Sequence, residues 1–348
     1  MTKGDCRFDG GGAADSPIDN PKSTIVNNPP TRVAVIDVGT NTVRLLVADV
    51  GVRAGYRTVL AAQEITRLGQ GLLPARVLQP EPIRRTVRVL RRFRELAESQ
   101  GASTVLAVGT SALREAANRA PFLTCARYEA GLEIAVISGE EEGRLALLGV
   151  RTGLPTPPDR LVMLDIGGGS TEILLAEGLR ILASASTGLG AVTLTERFLK
   201  TDPPDPAELD AVRRAAASRL GRLLREGFRG LTSDAVLAGT AGTVTSLAAI
   251  DLGLDPYDPG RVNGYRLTRD RVAELLRELA SLPLADRRGV RGLEAARADV
   301  IVAGTAVCLA AMEALGAGCL TVSDGGLREG ILLDLLRRNA PTDRPADA

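Results

Sequence analysis

The chain has 348 residues, of which 45% are hydrophobic and 24% charged, with a formal net charge of +1. That length suits two domains better than a single core, and near-neutrality excludes binding of nucleic acid or membrane surfaces through bulk charge. His is absent, which excludes Ser-His-Asp and Cys-His catalysis and any His-ligated metal centre.

Residues 1–30, with Gly10-Gly11-Gly12 and Asn27-Asn28-Pro29-Pro30, lack hydrophobic periodicity and read as a disordered leader without the apolar segment of a signal peptide. An apolar strand over 33–37 ends at Asp37-Val38-Gly39-Thr40-Asn41-Thr42, and a second follows over 43–50, so the pair reads as a hairpin. A further strand is expected near 56–65. Residues 81–99 form a helix with Ile83, Val87, Leu90 and Leu96 on its apolar face. Arg84, Arg88, Arg91 and Arg92 share another face, either a solvated stripe or a guide for a polyanion. A buried strand over 104–108 leads into Thr110-Ser111-Ala112-Leu113-Arg114. Another over 134–137 leads into Gly139-Glu140-Glu141-Glu142-Gly143-Arg144, which opens a helix. Strands alternating with helices make this an α/β unit.

Pro155-Thr156-Pro157-Pro158 interrupts the chain, and the pattern restarts. A strand over 161–165 ends at Asp165-Ile166-Gly167-Gly168-Gly169-Ser170-Thr171-Glu172, and a strand over 173–176 follows. VAVIDVGTNTVRLLVADV and LVMLDIGGGSTEILLAEG share one order: strand, Asp, aliphatic, Gly, small residues, hydroxyl, strand. One copy in each half predicts a bilobed protein with a cleft between the lobes. Helices are then expected near 192–198 and over 207–227. A strand over 235–237 runs into Gly239-Thr240-Ala241-Gly242-Thr243. Helices follow over 267–279 and about 297–315, the latter opened by Arg297. A strand over 319–322 leads into Ser323-Asp324-Gly325-Gly326-Leu327-Arg328-Glu329-Gly330, and a last helix reaches 338 before a polar tail. No stretch is apolar and long enough to span a membrane. Cys6, Cys125, Cys308 and Cys319 show no CxxC spacing, and a reducing, cytoplasmic setting is expected.

Each Gly-rich loop falls where a strand ends, the place at which α/β folds bind ligands. Glycine lets backbone amides approach phosphate oxygens, and Gly167-Gly168-Gly169-Ser170-Thr171 is the best such cradle. Lys occurs only at Lys3, Lys22 and Lys200, so an anion site here must use Arg and backbone amides. Asp37 and Asp165 would repel a phosphate unless a cation lies between, which points to Mg²⁺. Without His, a Glu is the natural activator of water; spacing alone does not choose among Glu140, Glu141, Glu142 and Glu172. Arg44, Arg114 and Arg297 stand among apolar neighbours, where an unpaired guanidinium is costly.

These motifs together (DVGTNTVRLLVAD, GTSALREAAN, ISGEEEGRLALLGV, LDIGGGSTEI, LAGTAGTVTSLAA and VSDGGLREG) resemble the exopolyphosphatase / guanosine pentaphosphate phosphohydrolase family over about residues 31–338. The resemblance implies an α/β fold of two ribonuclease H-like domains, as in the actin, Hsp70 and sugar-kinase superfamily, with an interdomain cleft. The expected division is a leader over 1–30, a first domain over 31–150 plus 328–340, and a second over 151–327, the short form of the family. It implies release of terminal phosphate from polyphosphate with Mg²⁺, with pppGpp as the alternative substrate; an ATP-binding kinase or nucleotide sensor of the same superfamily is the reading from another class. Carried over, Glu142 is the catalytic base, and Glu172, Asp37 and Asp165 hold metal and water. Gly39, Thr40, Asn41, Gly167, Gly168, Gly169, Ser170, Thr171, Gly239, Thr240, Gly242 and Thr243 form the phosphate loops, with Arg44, Arg114 and Arg297 as phosphate contacts. Expected partners are the substrate alone, with no nucleic acid or membrane, and a homodimer is the candidate assembly. One departure stands out: Val262-Asn263-Gly264 replaces the family's usual His-Gly pair.

Overall fold

The computed structural model describes residues 31–52, 55–228 and 235–339. The expected leader, with Cys6, and the tail past 339 lie outside them.

The first half builds a five-stranded mixed sheet from β1 (Thr31–Val38), β2 (Thr42–Val52), β3 (Gly55–Ile65), β4 (Thr104–Gly109) and β5 (Ile134–Val136), in the order β3-β2-β1-β4-β5. β1 to β3 form an antiparallel meander, and β4 and β5 continue the sheet in parallel. The second half repeats that order with β6 (Arg160–Ile166), β7 (Thr171–Glu177), β8 (Arg180–Thr187), β9 (Val236–Thr240) and β11 (Cys319–Val322), and β10 (Arg266–Thr268) pairs antiparallel to β11 at the edge. The internal repeat is therefore real at the level of topology. In register, Asp37 faces Arg44 across the first hairpin, and Asp165 faces Glu172 across the second. This is the two-domain ribonuclease H-like α/β architecture.

The central strands are buried on both faces, which is why they read as unbroken Val, Leu and Ile runs. β8 was not visible in the sequence: its Ile181, Ala183 and Ala185 alternate with exposed residues on an edge, and small side chains leave a weak pattern. The helix expected from 267 begins at Arg269, because Leu267 belongs to β10 and Thr268 caps the Arg271 amide at 3.2 Å. Arg297 likewise sits in a 3-10 turn, Ala295–Arg297, ahead of the apolar helix Ile301–Ala314.

The helix Gly139–Gly153 serves both halves. Its Leu145 packs with Val35, Leu46 and Leu332 beside the first sheet, while Ala146, Leu147 and Val150 pack with Leu161, Met163 and Leu174 of the second. It crosses the final helix, Leu327–Asn339, with main chain against main chain. A Cβ on Gly330 would lie 1.8 Å from the Leu145 carbonyl oxygen, and one on Gly149 would lie 2.0 Å from that of Gly326.

On the far side of the first sheet Asp49 is a buried ionic hub. Its carboxylate accepts from Arg32 at 2.7 and 3.1 Å and from Arg57 at 2.8 Å. The hydrogen bonds from Arg32 and Arg57 hold its pKa at about 2. A carboxyl whose folded pKa lies below its unfolded value, about 3.9, adds stability that is complete above that value and lost as pH falls through the folded one. Asp49→Asn should therefore lower Tm near neutral pH. It should also flatten the loss of stability between about pH 4 and pH 2, as read by thermal melts across that range. Among the described residues no helix is long and apolar enough to cross a membrane.

Candidate active site

Both Asp-ended hairpins open into one cavity of about 1020 Å³ between the sheets. Asp37, Gly39, Thr40, Asn41, Arg44, Glu142, Asp165, Gly167, Gly168, Gly169, Ser170, Glu172, Thr240, Gly242, Thr243 and Arg297 all line it. The structure thus brings together most of the residues singled out from the sequence, from positions far apart in the chain.

The loop after β6 is shaped as an anion cradle. The carbonyls of Gly167 and Gly168 are taken by the Ala191 and Val192 amides, at 3.0 and 2.9 Å, where the helix Ala191–Phe198 begins. No backbone acceptor among the described residues takes the amides of Gly168 and Gly169, so this cavity-lining loop keeps two donors free for an anion while its acceptors are occupied. The glycines are also required by the opposite lobe: a Cβ at Gly168 would lie 2.9 Å from the Asn41 Cβ, and one at Gly169 would lie 2.7 Å from the Thr40 hydroxyl. The two loops touch, so one must lack side chains. The Thr40–Asn41 turn is fixed in turn by Gly69, whose amide donates to the Thr40 carbonyl at 2.9 Å, and by Arg67, whose amide donates to that of Asn41 at 2.8 Å.

The third loop places the uncapped N-terminus of the helix Ala241–Asp251 at the cavity. Thr240 does not cap it; its hydroxyl donates instead to the Gly325 carbonyl at 2.9 Å. A Cβ at Gly242 would lie 2.1 Å from the Arg297 guanidinium, so glycine here lets that guanidinium lie against the loop. Arg297 is buried, ion-paired to Glu294 at 3.0 Å, and reaches the other lobe at Thr42 and Gln63, both at 3.5 Å.

Among the carboxylates that line the cavity, burial raises the pKa of Asp37, Glu142, Asp165 and Glu172. Glu142 is pushed up to about 8, first by burial and then by Glu172, against the pull of Arg114. Asp165 is pushed up to about 7 by burial and Glu172. Glu172 is raised by burial although Ser170 and Ser186 donate to it, the latter at 2.7 Å. Asp37 is raised by burial against Arg44 and Arg328, and its Oδ1 has no hydrogen-bond partner. Among the described residues no three His, Cys, Asp or Glu side chains close into a ready-made metal cage.

The acidic run resolves into three roles. Ser138 caps the helix by accepting from the Glu141 amide at 3.1 Å. Glu140 is exposed, and Glu141 turns to Arg144 at 2.8 Å. Only Glu142 faces the cavity, held at 2.5 Å by Arg114.

Three expected phosphate contacts lie outside the cavity lining. Arg114 stands behind Glu142 and also donates to the Ile137 carbonyl at 3.3 Å. The Thr171 hydroxyl is buried and donates to the Leu189 carbonyl at 2.7 Å. Gly239 lies in β9, where a Cβ would meet Leu320 and Val244 at 2.9 Å. Asn263 is likewise remote: its amide joins the Gly153 carbonyl to the Asp324 amide, stapling the cavity-lining Asp324 segment from behind. The arginine stripe on the helix Pro80–Ser99 is spent largely on acidic neighbours, with Arg84 and Arg88 on Glu81 and Arg92 on Glu64. Arg288, Arg291 and Tyr257, for which the sequence held no signal, also line the cavity, as does Arg328 of the VSDGGLREG motif, which the motif alone does not single out.

Comparison with known proteins fits this geometry. The model of the Ppx/GppA phosphatase family matches residues 46–339. Exopolyphosphatase 2 of Mycobacterium tuberculosis is 36% identical over 317 residues, spanning 88% of this chain and 98% of that protein. Among solved structures, the Aquifex aeolicus Ppx/GppA family member superposes with a TM-score of 0.74 at 34% identity, covering 89% of this chain and 99% of its own. An exopolyphosphatase from Cytophaga hutchinsonii superposes with a TM-score of 0.79 at 25% identity, covering 88% and 98%.

Proposed function

Because the chain belongs to the Ppx/GppA phosphatase family, we propose that it is an exopolyphosphatase, releasing the terminal orthophosphate of inorganic polyphosphate by attack of water. The observation that carries this reading is the meeting, in one cavity, of an amide-lined cradle and a buried carboxylate whose pKa is raised to about 8. The amides of Gly168 and Gly169, the N-terminus of the helix Ala241–Asp251, Arg44 and Arg297 grip the phosphate oxygens. Their preorganised charge favours the spread of negative charge as the bridging bond loosens. Glu142, in its ionised form, takes a proton from water as the water oxygen bonds to phosphorus. The bond to the bridging oxygen breaks, and the shortened chain keeps the electron pair. Arg114 positions Glu142, and Glu172, fixed by Ser186, orients the water.

The donor set also suits Mg²⁺. It is all oxygen, without His or Cys ligands, and it includes the unpartnered Asp37 Oδ1 among mutually repelling carboxylates. An ion that keeps much of its water and takes one or two carboxylates needs no protein cage. Asp37 and Asp165, with Glu172, would hold it. When bound it neutralises charge on the phosphates. The free thiols of Cys125, Cys308 and Cys319 support a reducing, cytoplasmic setting.

The test is phosphate release by the purified chain from long-chain polyphosphate, pppGpp and ATP side by side, with Mg²⁺ and with chelator. Release is expected from polyphosphate and to cease on chelation. Release from ATP alone would remove the exopolyphosphatase reading.

A further inference from the structure

The cavity, at about 1020 Å³, reaches the upper end of small-ligand sites, roughly 300–1,000 Å³, and exceeds what a single phosphate fills. Part of its wall is the segment 288–293, between the short helix Leu284–Arg287 and the turn Ala295–Arg297. This segment is held from two sides. The buried Arg287 guanidinium donates to the carbonyls of Leu279, Leu282 and Ala298 at 2.8, 2.6 and 3.0 Å. Gly292 has φ +87°, and a Cβ there would lie 2.2 Å from the Ala249 carbonyl oxygen, so the segment rests directly on the helix that carries the third phosphate loop.

On this fixed mount Arg288 and Arg291 are exposed at the cavity wall. Among the described residues neither guanidinium has an internal partner, in contrast to Arg287 and Arg297 on the same stretch. The guanidiniums that act on Glu142, Asp165 and Glu172 are those of Arg114 and Arg44. The charge of the outer pair is therefore left for a ligand. Two forked donors on a rigid segment match successive phosphates of a chain, each carrying anionic oxygens.

We propose that Arg288 and Arg291 form a distal subsite for the phosphates that follow the one being cleaved, and so set a preference for long over short chains. This rests on the exopolyphosphatase reading. Only a chain that continues past the cradle can reach both sites at once.

The test compares the wild-type chain with the double variant Arg288→Gln/Arg291→Gln on long-chain polyphosphate and on tripolyphosphate, with a single charge reversal, Arg291→Glu, as a second variant. Loss of two charge-assisted contacts should raise KM for the long chain by about tenfold, while KM for tripolyphosphate rises less than about twofold. The charge reversal should move the long-chain KM in the same direction, and added salt should weaken long-chain binding by the wild type more than by the double variant. Equal changes on both substrates, or none on either, would overturn the distal subsite while leaving the exopolyphosphatase reading intact. A wild-type chain that releases phosphate from neither polyphosphate removes both.

Discussion

Replacing Glu142 by Gln should lower kcat for phosphate release by about 10²–10⁴-fold, the range for losing a positioned general base, without raising KM. The amide keeps the shape of the side chain and a partner for Arg114, so the fold and the cradle are retained. It also removes one negative charge from a cavity in which Asp37, Asp165 and Glu172 already oppose an anionic substrate, which favours binding if anything. The companion measurement is the pH profile of kcat/KM. A base must be ionised to act, and burial with Glu172 and Asp165 nearby raises Glu142 to about 8. Activity should therefore climb as pH rises through a limb at or below that value. Raising Mg²⁺ should shift the limb to lower pH, because added positive charge favours the carboxylate. The Gln variant should lack the limb. Unchanged turnover in that variant would take Glu142 out of the mechanism.

The largest loss of stability is expected at Gly330. In a helix interior Gly→Ala ordinarily adds about 1 kcal/mol of stability through propensity. Here the new methyl would sit 1.8 Å from the Leu145 carbonyl oxygen, and the obstacle is main chain, which cannot rotate aside. The two helices must separate, and overpacking of this kind costs about 1–3 kcal/mol or more. Gly330→Ala should lower Tm by several degrees, and Gly330→Val by more. Turnover should fall as well, since Leu145 lies within one turn of Glu142. A Tm that holds or rises in the Ala variant would show that the crossing tolerates separation.

Much of this was legible because it is local. Asp37 and Asp165 end strands that are apolar throughout, and the turns that follow need glycine or small residues for reasons contained within a few positions. The repeat could be read from two such segments, and the matching strand orders follow from it. What could not be read depends on who lies opposite. Nothing in GGGST distinguishes the amides of Gly168 and Gly169, which no backbone acceptor takes, from the hydroxyl of Thr171, which is consumed by Leu189. Three consecutive Glu residues look alike until the helix turns Glu141 toward Arg144 and Glu142 toward Arg114. Arg287 and Arg288 are adjacent, yet one is sealed among carbonyls and the other stands in the open, a difference set by loop geometry. Asn263 stands where the family resemblance expects a His, and its contacts with Gly153 and Asp324 place it behind the site wall.

The cradle made of main-chain amides has a consequence for how its failures would be found. A grip without side chains has nothing for truncation to delete, so shortening the side chains around the loops would report mainly on those neighbours. The informative changes are additions. One methyl at Gly168 is directed at the Asn41 Cβ, 2.9 Å away, and one at Gly190 would lie 2.2 Å from the Gly168 carbonyl oxygen. Inactivating variants of these loops should thus be dominated by gains of mass at glycine, and an inherited defect here would read as a small residue made slightly larger.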